Sequence, residues 1–91
     1  MEFKDKRVIV TAGAGGIGRE ITRLFVEAGA KIFICDIDET ALENTLSSFD
    51  NVAGVRVDVS DPEQFKSFFN KADQYLGGLD IMINNAGTAG P

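Results

Sequence analysis

Apolar positions along this chain alternate between compact β-branched runs and helical spacing, and each switch marks an element. Val8, Ile9 and Val10 form a short run that reads as a strand. Glycines follow, and then Ile17, Ile21, Leu24, Phe25 and Ala28 recur at helical spacing, which predicts a helix opening near Ile17 with those side chains as its apolar stripe. Gly29 stands where a helix takes a left-handed terminator, and Lys31 to Cys35 is a second apolar strand running into Asp36. Asp38 is placed as the N-cap of a second helix, in which Ala41, Leu42, Thr45, Leu46 and Phe49 repeat until Asp50 and Asn51. Val52 to Val59 predicts a third strand. Ser60 with Glu63 then fits a capping box, Pro62 suits a first turn, and Phe65, Phe68, Phe69, Ala72, Tyr75 and Leu76 mark the buried side of a third helix. Gly77 and Gly78 end it, Leu79 to Asn84 predicts a fourth strand, and the residues up to Pro91 have turn chemistry.

Strands alternating with helices imply right-handed crossovers, hence a parallel sheet with helices on both faces. The predicted class is therefore α/β, half of a Rossmann-type doubly wound fold in β-α-β-α-β-α-β order. No linker, low-complexity run or further repeat interrupts it.

Composition narrows the partners. With 91 residues, 44% apolar and 25% charged, the chain is expected to fold as one small domain. A net charge of −5 disfavours nucleic acid and anionic membrane, because neutralising phosphates needs a surplus of Lys and Arg on one face. Cys35 is the only cysteine, which excludes an intrachain disulfide, and no leader-like or spanning apolar run is present. A cytoplasmic location is the expectation.

Candidate chemistry concentrates between Val10 and Ile21. The P-loop pattern needs a lysine and a hydroxyl directly after its last glycine; Gly13 and Gly18 fit, but Arg19 and Glu20 occupy those places, so nucleotide hydrolysis is rejected. The dinucleotide pattern G-x-G-x-x-G fits at Gly13, Gly15 and Gly18, after a strand and opening a helix. Small residues there let backbone approach a pyrophosphate, whose charge sits at the positive end of the helix. A glycine-rich turn that binds nothing is the alternative. Asp36, eighteen residues after Gly18 at the end of the second strand, shifts the balance: a carboxylate there accepts hydrogen bonds from adenosine ribose hydroxyls and repels a 2′-phosphate. NAD is thereby preferred over NADP, and Gly15 places no basic side chain in the turn.

The turn resembles the short-chain dehydrogenase/reductase family, whose T-G-x-x-x-G-x-G signature maps onto Thr11, Ala12, Gly16, Ile17 and Gly18. Asp58-Val59 after the third strand and Asn84-Asn85-Ala86-Gly87 after the fourth fit the same family, and the likeness runs from Arg7 to Gly87. Ala12 departs from it by standing in place of the first motif glycine; its methyl is tolerated if φ there is negative. By resemblance, Gly16 to Gly18 face the pyrophosphate, Asp36 the adenosine ribose, Asp58 with the Val59 amide the adenine edge, and Asn85, Ala86 and Gly87 the path to the nicotinamide ribose. Asn84 has an alternative structural reading, tying the end of its strand to neighbouring backbone. The family's strand order implies 3-2-1-4, with the first two helices on one face and the third on the other.

The resemblance also implies a reaction, interconversion of an alcohol and a carbonyl by hydride transfer, on a small-molecule substrate; the 3-2-1-4 order leaves the fourth strand, Leu79 to Asn84, at an edge, from which a homo-oligomer is expected. Such enzymes carry a Tyr-x-x-x-Lys pair on a later helix, the Tyr acting as acid and base. Tyr75 is the only tyrosine here and Leu79 stands four residues on, so no catalytic residue is assigned and Tyr75 is read as core. No histidine is present, which excludes Ser-His and zinc-histidine chemistry, and Cys35 reads as a small apolar residue whose thiol the adjacent carboxylate keeps protonated. Residues 1–91 are accordingly expected to be the N-terminal dinucleotide-binding portion of a longer domain whose catalytic half lies elsewhere. A truncated binding module or an interaction fragment is the alternative.

Overall fold

The computed structural model describes residues 3–86. Four strands, β1 (Arg7–Thr11), β2 (Lys31–Asp36), β3 (Val52–Arg56) and β4 (Ile81–Ile83), alternate with α1 (Gly16–Glu27), α2 (Glu39–Ser48) and α3 (Pro62–Leu76). All pairings are parallel and the sheet order is β3-β2-β1-β4, the order expected of a Rossmann-type α/β fold.

Side-chain alternation on the two central strands separates two cores. Val8, Val10, Ile32 and Ile34 point to the face covered by α1 and α2, where Leu42 joins them. Ile9, Phe33 and Cys35 point the other way, against Phe68, Ala72 and Leu76 of α3. Burying each of the larger of these side chains stabilises the fold by about 1.5–3 kcal/mol. The predicted Phe-rich stripe of α3 is the observed one: Phe33 lies 5.5 Å from Phe68 and 5.7 Å from Tyr75, centroid to centroid.

Three local expectations are corrected. The apolar stripe of α1 is rotated: its fully buried positions are Gly18 and Thr22, while Ile17 and Leu24 are 74% and 54% exposed. A Cβ at Gly18 would lie 1.7 Å from the Ala12 carbonyl oxygen, so α1 makes its closest approach at Gly18, while Ile21 and Phe25 of the predicted stripe still pack against the core and Ile17 and Leu24 are turned out. The N-cap of α3 is Asp61, not Ser60: its carboxylate accepts from the Glu63 and Gln64 amides, and the Ser60 hydroxyl turns back to Asp58. The outer strands are shorter than the apolar runs. Beyond Arg56 the chain curls so that the Val57 amide donates to the Asp36 carbonyl, and Val57 stays buried without lengthening β3. β4 likewise starts after Leu79 and Asp80, whose backbone turns to reach Arg7.

Candidate functional site

The C-terminal ends of all four strands meet at one edge of the sheet, and the predicted site residues gather there. Thr11 ends β1, and the chain then turns sharply: Ala12 has φ +52° and Gly16 φ +51°. The positive φ at Ala12 overturns the condition under which its methyl is harmless. This backbone conformation is why glycine suits the position, and here an alanine is held in it.

Hydrogen bonds to side chains fix the turn. Asn85 Nδ2 donates to the Ala12 carbonyl at 3.3 Å, Thr22 Oγ1 to that of Gly13 at 2.9 Å, and Thr45 Oγ1 to that of Ala14 at 3.1 Å. Gly13 is packed inward, where a Cβ would meet Ile34 at 2.8 Å, whereas Gly15, Gly16 and Ile17 are exposed and Gly15 and Gly16 border open space. The first helical bond runs from the Arg19 amide to the Gly15 carbonyl, which leaves the amides of Gly16, Ile17 and Gly18 at the open positive end of α1.

Asp36 ends β2 beside this turn. One carboxylate oxygen accepts from the Ala14 amide at 3.1 Å and the other from the Asp38 amide at 3.0 Å. Between Asp36 and the end of β3 lies a cavity of about 210 Å³ bordered by Ala12, Asp36, Ile37, Asp58, Val59 and Ala86. Cys35 and Val57 also line it. Asp58 is held by the Ser60 hydroxyl at 2.6 Å and amide at 3.0 Å, which lower its pKa, and Arg56 lowers it further. Burial, more than the adjacent Asp36, pushes the Cys35 thiol up to about 11, with the Ala12 amide partly opposing, so desolvation is the principal cause that favours the protonated thiol. A larger apolar groove, about 360 Å³, is lined by Phe3, Ile21, Leu24, Phe25 and Ala28 on the outer side of α1, away from these groups.

The Asn84-Asn85-Ala86 segment docks onto the start of the turn. Thr11 Oγ1 donates to Asn84 Oδ1 at 3.1 Å and accepts from the Ala86 amide at 3.0 Å, so the contact of Asn84 is to the Thr11 side chain at the end of β1, where the sequence suggests backbone. Gly87, the remaining predicted site residue, lies outside the described residues. Sequence reasoning missed the roles of Thr22 and Thr45; Thr45 stood in the inward repeat of its helix, and Thr22 lay off the predicted stripe with no local signal.

The motif of short chain dehydrogenases matches residues 6–91. The chain belongs to that family. Among its relatives, the chain is 39% identical over 85 residues to the short chain dehydrogenase/reductase dpchG of Colletotrichum higginsianum, covering 89% of this chain and 32% of that protein. It is also 39% identical over 83 residues to 3beta-hydroxysteroid dehydrogenase 2 of Eggerthella lenta, covering 87% of this chain and 32% of the relative. It thus spans about a third of the length of these relatives. A solved short chain dehydrogenase/reductase from Burkholderia phymatum, in complex with NAD, superposes with a TM-score of 0.85 at 29% identity, over 90% of this chain and 31% of that one. One from Mycobacterium smegmatis does so at 0.85 and 32% identity, over 92% and 37%. Among the described residues no group of side chains is suited to a metal ion, and no helix is long and apolar enough to cross a membrane.

Proposed function

We propose that this chain is the cofactor-binding half of an oxidoreductase that interconverts an alcohol and a carbonyl by hydride transfer, and that it takes NAD in preference to NADP. The observation that carries the preference is Asp36, a carboxylate at the mouth of the cavity beside the glycine turn. Each of its oxygens accepts one amide, and a carboxylate has about four acceptor sites, so room remains for ribose hydroxyls to donate. A 2′-phosphate brings only negative charge and is repelled.

The turn fits a pyrophosphate. Gly18 leaves no space for a Cβ, Gly15 and Gly16 border open space, and the amides of Gly16, Ile17 and Gly18 stand at the open end of α1, which supports placing anionic oxygens there. Exposed Ile17 gives the bound molecule an apolar flank. Asp58 and the Val59 amide would receive the adenine edge, and Asn85, Ala86 and Gly87 would border the nicotinamide ribose. When bound, the dinucleotide supplies the hydride acceptor; these residues bind it and orient it. The NAD complex of the Burkholderia phymatum structure supports the reading. Titration calorimetry of the chain with NAD(H) and NADP(H) tests it. Tighter NAD(H) binding is expected, narrowed by Asp36→Ala, and equal affinity of the unmodified chain for both would overturn the assignment of Asp36.

A further inference from the structure

We propose that Thr45, oriented by Arg19, is a positioning residue that aims the glycine turn at the dinucleotide. The inference rests on the cofactor reading above and adds residues from outside the motif. Three successive carbonyls of the turn, those of Ala12, Gly13 and Ala14, each receive a side-chain donor from a different element: Asn85 after β4, Thr22 in α1 and Thr45 in α2. Thr22 and Thr45 are fully buried, so the Gly13 and Ala14 carbonyls point into the protein. Because the carbonyl and amide of one trans peptide point oppositely, the inward Ala14 carbonyl turns the Gly15 amide outward, directly ahead of the amides of Gly16, Ile17 and Gly18 at the open end of α1.

The direction of the Thr45 bond is fixed by charge. Arg19 Nη1 lies 3.0 Å from Thr45 Oγ1 and can only donate, so the hydroxyl accepts from Arg19 and its single proton goes to the Ala14 carbonyl. Arg19 is itself held at Ser48 Oγ by Nη2, 3.1 Å away, and its guanidinium stands 5.4 Å from the Phe49 ring centre. The Ala14 amide meanwhile donates to Asp36. One residue of the turn is therefore gripped on both sides, by α2 through Thr45 and by the ribose carboxylate through its amide. Thr22 shares its proton between the carbonyls of Gly13 and Gly18, a contact inside the motif's own helix. Thr45 is the link that brings α2 into register with the phosphate turn.

The test compares Thr45→Val, which nearly preserves shape and removes the hydroxyl, with Thr45→Ser, which restores it. Each chain is titrated with ADP-ribose, which carries a pyrophosphate, and with adenosine, which does not, and the amide resonances of Gly15 to Gly18 are followed by NMR. Thr45→Val is expected to weaken ADP-ribose about tenfold, to leave adenosine within about twofold, and to shift those amides before ligand is added. Thr45→Ser is expected to restore both. Arg19→Met, at a partly exposed position, carries the same test should Thr45→Val not fold, with a loss of about threefold for ADP-ribose alone. Unchanged ADP-ribose binding in both folded variants, or equal losses for the two ligands in step with thermal stability, would overturn the positioning role and leave the cofactor reading standing. An unmodified chain that binds neither ligand would overturn both.

Discussion

At Ala12 a side chain occupies a backbone conformation that glycine adopts without strain. Its φ of +52° costs an alanine about 1–2 kcal/mol, against roughly 0.4–1 kcal/mol that glycine loses through greater freedom in the unfolded chain. The difference favours glycine, so Ala12→Gly is expected to raise stability by about 0.5–1 kcal/mol, read as a Tm increase of about 2–8 °C in a domain of this size. A Tm at or below that of the unmodified chain would contradict the strain. Gly18→Ala is the opposite case, because the new Cβ would collide with the Ala12 carbonyl oxygen at 1.7 Å and force α1 off the sheet. That variant is expected to lose the cooperative unfolding transition, followed by circular dichroism.

At the scale of elements, the shortest strand is entered beside one ion pair. Arg7 donates from its amide to Asp80 at 2.8 Å, from Nε at 3.0 Å and from Nη2 at 3.2 Å, and from Nη1 to the Gly77 carbonyl at 3.1 Å. The Asp80 amide returns a bond to the Arg7 carbonyl at 2.9 Å. These contacts join the start of β1 to the end of α3 and the entry to β4. The Arg7 side-chain bonds, then the Arg7 amide, depress the Asp80 pKa from its ordinary 3.8 to about 2. A carboxylate with a lowered native pKa stabilises the fold above its unfolded value and ceases to as pH falls through the native one. The stability lost between pH 3.8 and about 2 is therefore expected to be smaller in Asp80→Asn, measured by urea unfolding across that window. Parallel pH profiles for the two chains would remove Asp80 as a cause. Because the pair is partly exposed, its effect shrinks with added salt.

For the 91-residue chain as a whole, the behaviour expected in solution follows from β4. Among the described residues it pairs with β1 on one side and with no strand on the other. Leu79 and Met82 are 47% and 37% exposed beside that edge, and a separate apolar groove lies along α1. Unpaired backbone next to apolar side chains favours strand-to-strand association. Sedimentation of the 91-residue chain is expected to show self-association, with the amides of β4 exchanging slowly only in the associated form. A stable monomer at tens of micromolar, with β4 amides as protected as those of Val8 to Val10, would refute the role of the edge.

The order of elements, the parallel class, the helix cap at Asp38 and the inward stripe of α3 were all legible along the chain, because each depends on spacing and local chemistry that neighbours in sequence carry. The gathering of the turn, Asp36, Asp58 and Asn85 at one edge followed from family motifs standing at strand ends. What the chain alone left undetermined were quantities that depend on how closely two elements approach. The rotation of α1 was set by contact between Gly18 and the Ala12 carbonyl, not by the apolar count of its stripe. The sign of φ at Ala12 was set by a turn closed from three sides, and the partners of Thr22 and Thr45 by helices docking over that turn. A threonine on a helix has the same local pattern whether its hydroxyl meets water or a carbonyl from a distant loop. Only tertiary packing, which removes the water, makes the choice.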